Sequence, residues 1–64
     1  MNERELEEAL IEVLSCGEAV ELLTGEPRGE VSVRSYREAG VLTNNRGLVI
    51  EVAGRTYQLT IVEV

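Results

Sequence analysis

The chain has 64 residues and a formal net charge of −6; all twelve acids are Glu, all six bases are Arg, and there is no His. Lacking His, Lys and Asp, it has no Ser–His or Cys–His pair, no imidazole metal ligand, no Schiff-base amine and no Walker-type phosphate loop. Its single cysteine, Cys16, excludes an internal disulfide. These absences point away from an enzyme, and no cofactor or metal is implied.

The length fits one small α+β domain over residues 1–64. A chain this size buries only ~60% of its unfolded surface, and such a core rarely yields more than ~3–5 kcal/mol without metal, disulfide or partner. With no Phe or Trp, the core must come from nine Val, eight Leu, three Ile and two Tyr. Self-association is therefore expected. Residues 1–26 hold eight Glu and one Arg, and the remainder four Glu and five Arg. The acidic balance argues against general phosphate-backbone binding, so nucleic acid is not the expected partner. The charged start does not resemble a signal peptide, and no apolar run approaches ~20 residues, so a soluble cytoplasmic chain is expected.

"NERELEEALIEVLSCG" predicts a helix. Leu6, Ala9, Leu10, Val13 and Leu14 share one face, with Glu5, Glu8 and Glu12 opposite. Asn2 suits the N-cap, and Glu3 and Glu5 complement the positive helix end. Gly17 suits a left-handed residue after a stop near Cys16, which places Cys16 at a helix C-terminus, small and at least half-buried. "EAVELLTG" is readable two ways. Ser15 and Glu18 have capping-box spacing for a second helix, whereas Val20 and Leu22 share one face of a strand; the strand is the preferred reading. "TGEPRG" is a turn, with Pro27 fixing φ between Gly25 and Gly29.

"EVSVRSYR" alternates as a strand, with Val31 and Val33 on one side and Ser32, Arg34 and Tyr36 on the other. A bulge near Gly40 would reset the faces. "NNRG" suits a hairpin turn pairing Leu42 with Ile50, and Gly54-Arg55 suits a type II′ turn. Leu48, Ile50, Val52, Tyr57, Leu59 and Ile61 then share the side that meets the helix. A two-residue slip preserves this assignment, whereas a one-residue slip would bury Glu51 and Gln58.

The architecture expected is an N-terminal amphipathic helix on an antiparallel meander of about four strands, its sheet open or curled into a partly open barrel. The opposite sheet side carries Val49, Thr60, Val62 and Val64, more apolar than a wetted face. That side, or a sheet edge, is the candidate self-association surface. Arg34, Tyr36 and Arg37, joined by Arg28, Arg46 and Arg55, form the only basic and aromatic grouping, of a kind that can stack bases and hold phosphates.

The helix and the following "VELLTGEPRGEVSV", residues 20–33, resemble the start of Sm-like and Hfq-like RNA-binding proteins. Ser35 and Tyr36 stand about where that family carries its Asp or aromatic-and-Asn pattern, and "RGLVIEV" is similar to its second motif. The resemblance implies a bent five-stranded barrel, ring assembly and single-stranded RNA held through Arg34, Tyr36 and Arg37. Three functions follow, in order of preference: a non-enzymatic, self-associating protein-interaction module, an Sm-like or SH3-like RNA-binding barrel, and an acidic inhibitor presenting Glu5, Glu8 and Glu12 to a basic partner.

Overall fold

A computed structural model describes residues 1–26 and 29–64. The role expected of Pro27 in the turn, and Arg28 of the basic grouping, lie outside the described residues. Among the described residues, three helices and three strands follow in the order α1 (Glu3–Ser15), α2 (Gly17–Thr24), β1 (Val31–Ser35), α3 (Tyr36–Ala39), β2 (Arg46–Val52) and β3 (Arg55–Ile61). The fold is α+β. Its antiparallel sheet has three strands rather than four, in the order β1-β2-β3, and it does not close into a barrel.

Helix α1 starts as its sequence dictates. The Asn2 side chain accepts the Glu5 N–H at 2.8 Å, and Glu3 and Glu5 fill the first turn. Cys16, in extended backbone, ends it. Gly17 is not left-handed; it opens α2 instead, because Cys16 is also the N-cap of that helix. Cys16 is accordingly exposed, not half-buried between elements.

Residues 17–24 form helix, not strand. Gly25, in the left-handed region at φ 75°, caps α2, its N–H donating to Glu21 O at 2.8 Å, and the Thr24 hydroxyl donates back to Val20 O at 2.7 Å. Val20 and Thr24, four residues apart, share the less exposed side, while Leu22 points to solvent. Parity had grouped Val20 with Leu22, but helical spacing separates them.

The strand expected through Arg37 stops at Ser35. "SYREAG" has the Ser-x-x-Glu spacing of a capped helix: Ser35 Oγ accepts the Glu38 N–H at 3.1 Å and donates to Glu38 Oε1 at 3.2 Å. Gly40, at φ 77°, ends this turn of helix. No bulge is needed, since α3 itself resets the chain.

The "NNRG" hairpin does not form. β2 pairs with β1 instead, in the register Val31↔Val52, Val33↔Ile50 and Ser35↔Leu48. That pairing places the apolar side chains of Val31 and Val33 beside those of β2, whereas Leu42 lies outside any strand and fully exposed. β2 and β3 form the second hairpin as expected, but two residues out of the expected register, with Leu48↔Leu59, Ile50↔Tyr57 and Val52↔Arg55. The loop is Ala53–Gly54, both at positive φ, the geometry of a type I′ turn. An even slip leaves every side chain on its expected side.

Helix α1 packs on β1 and β2, and by register the side it meets is the one that Arg46 and Ile61 share with Leu48, Ile50 and Val52. Arg46 reaches Glu7 there, and Leu6 lies beside Ile61. Leu48 is 0% exposed at the centre, and Val49 and Ile50 are buried with it. The inward side of α1 is rotated from the expected stripe. Glu7 is buried, and Leu10, Ile11 and Leu14 are part-buried, while Leu6 and Val13 are exposed.

Candidate interaction edge

Two features of β2 decide what is left uncovered. The first is Gly47. β1 ends opposite Leu48, so Gly47 has no strand partner on that side. Its N–H donates instead to the buried Glu7 Oε2 at 3.1 Å, and Glu7 Oε1 lies 3.8 Å from Arg46 Nη1. A carboxylate from α1 thus completes the sheet where β1 leaves it, which fixes the helix over β1 and β2. The second is Tyr36, which α3 swings across the opposite side of the sheet. Its ring lies against Gly47, where a Cβ would collide with the ring and with the Leu59 carbonyl oxygen. Its hydroxyl shares a 2.7 Å hydrogen bond with Thr60 Oγ1.

The residues singled out from the sequence are dispersed by this arrangement. Val49 is buried between Gly47 and Glu51; Thr60 is bonded to Tyr36; Val62 and Val64 are exposed in the segment after β3. Arg34 pairs with Glu51 at 2.6 Å, and Arg37 is exposed on α3. Tyr36 is 5% exposed, so its ring faces are occupied by protein and are not open for base stacking. Glu5, Glu8 and Glu12 are exposed, with Glu8 paired to Arg4 at 3.3 Å. Among the described residues no cluster of metal-ligating side chains gathers, and no helix is long and apolar enough to cross a membrane.

What the fold does gather is an edge. β3 is the outer strand beside β2, and every residue from Arg55 to Thr60 is exposed. Tyr57 and Leu59 lie on the helix side by parity, yet they are 50% and 48% exposed. Geometry accounts for this. A helix is ~10 Å across and strands sit ~4.8 Å apart, so one helix covers about two strands. α1 covers β1 and β2, and the third strand keeps its apolar side chains in water. That arithmetic was the signal available in the sequence, where Tyr57 and Leu59 read as core. Pro, Lys and bulges, which blunt edge strands, are missing from Arg55–Ile61, whose single charge is Arg55 at the hairpin end. Comparison with known protein families, curated proteins and solved structures finds no match to this chain.

Proposed function

We propose that this protein is a small non-enzymatic assembly module that associates with itself through the open edge of β3. The observation that carries the reading is the coincidence, on one strand, of half-exposed Tyr57 and Leu59 with backbone groups that no described strand pairs. Pairing that edge satisfies the backbone and removes the two side chains from water in one step. The small core gives the association a thermodynamic reason: the buried apolar centre rests on Tyr36, Leu48, Val49 and Ile50, and added burial supplements a domain of marginal size.

Light scattering at micromolar concentration tests this. A mass above the 7.1 kDa of one chain is expected. Leu59→Glu is expected to return it to one chain while circular dichroism stays unchanged, because residue 59 already meets solvent. Wild-type protein that scatters as a single chain would exclude the reading.

A further inference from the structure

The free strand also contains enough to define how a second copy sits, given the self-association reading above. Backbone groups in β3 alternate between the β2 side and the open side. A two-residue hairpin loop closes on a pair that exchanges both backbone bonds, and here that pair is Val52–Arg55. Tyr57, Leu59 and Ile61 therefore direct their backbone groups to β2, and Thr56, Gln58 and Thr60 direct theirs outward. Gly47 confirms the phase. It sits across from Thr60, but its N–H turns away from β3 to Glu7.

The helix-side residues of this edge are Arg55, Tyr57, Leu59, Ile61 and, beyond the strand, Glu63. The Glu63 N–H donates to Glu3 Oε2 at 2.9 Å, which holds the chain beside α1 and sets a second carboxylate at that end. One end of the edge is thus cationic, the other anionic, and the middle apolar.

We propose that two copies pair antiparallel through β3 about a twofold axis at Leu59. Leu59 then faces its counterpart, Tyr57 faces Ile61 of the second copy, and Arg55 faces Glu63 of the second copy. An axis at Gln58 would set Arg55 against Ile61, and one at Tyr57 would set it against Leu59. A parallel pairing would bring like charges together. The Leu59 axis also sets outward-pointing residues opposite each other, Gln58 against Thr60 and Thr56 against Val62. The apolar residues then occupy the non-hydrogen-bonded pairs, whose side chains approach most closely. The same patch serves both copies, as a twofold interface demands.

Charge exchange and cross-linking test the register. Arg55→Glu and Glu63→Arg, each alone, create two like-charge pairs per dimer and are expected to weaken dimerisation roughly tenfold. An equimolar mixture of the two is expected to recover wild-type affinity, because both cross-strand pairs become opposite again. In a Cys16→Ser background, Leu59→Cys is expected to form a disulfide-linked dimer on treatment with diamide. Its Cα separation of about 4.5 Å across the axis falls within disulfide range. If wild-type protein dimerises but the charge variants match it, or Gln58→Cys cross-links in preference to Leu59→Cys, this register is wrong and the self-association reading stands. A monomeric wild type overturns both.

Discussion

Glu7 shows how one polar side chain fixes the placement of a helix. A buried carboxylate is costly unless paired, and here it receives the Gly47 N–H and lies near Arg46. Removing it strands a buried backbone donor, which costs about 1–3 kcal/mol. Glu7→Ala is expected to lose that much in urea denaturation, whereas Glu7→Gln keeps an acceptor and loses less. Equal losses would show that the hydrogen bond to Gly47 is not the source. Gly47 carries a second constraint. Any Cβ there meets the Tyr36 ring and the Leu59 carbonyl, so Gly47→Ala is expected to destabilise by about 1–3 kcal/mol through overpacking. An unchanged melting curve would mean that Tyr36 does not pack on this strand. Neither constraint was legible in the sequence. Glu7 is one of eight Glu in the first 26 residues, and only its opposition to Gly47, forty positions away, distinguishes it.

At the scale of elements, local signals competed, and the weaker-looking ones prevailed. Alternation from Val31 to Tyr36 predicted a longer strand, but Ser35 and Glu38 with Gly40 beyond them form a capped helical turn. That turn carries the chain away, so β1 rather than residues 41–45 supplies the partner for β2. Likewise Val20 and Leu22 suited a strand, but Glu, Ala and Leu favour helix and Gly25 supplies its left-handed cap. What was legible was face assignment. The side-chain period of two in β2 and β3 survived a two-residue error in register. The α1 start was also legible, because Asn2 caps it locally; the stop near Cys16 was placed correctly but on the wrong signal, since Gly17 opens α2 rather than ending α1 in the left-handed region. The hairpin loop leaves room for improvement: Ala53 sits at φ 53°, a left-handed conformation that costs an L-residue roughly 1 kcal/mol. Ala53→Asn gives the Asn-Gly pair that type I′ turns favour. It is expected to raise Tm by about 4–8 °C, and a fall in Tm would contradict the turn assignment.

For the whole molecule, coverage is the controlling quantity. One helix spans two strands, and the shorter α2 packs on β1, so among the described residues no element covers the sheet at β3. The candidate surface was therefore legible only as a class, a sheet edge or side, with no strand singled out. The sequence directed attention to Val49, which the fold buries, and left Tyr57 and Leu59 in the core, from which the fold excludes them. Parity assigns a side chain to a side of the sheet, but the number and width of the covering helices decide whether that side is dry.

The backbone of β3 offers the most direct test of the edge claim, through amide hydrogen exchange followed against protein concentration. The Tyr57 and Leu59 amides, bonded to β2, should be protected at every concentration. The Gln58 and Thr60 amides, pointing to the open side, should be protected at high concentration and exchange freely on dilution. Gln58 and Thr60 amides that exchange at unprotected rates throughout would show that no second strand pairs with this edge.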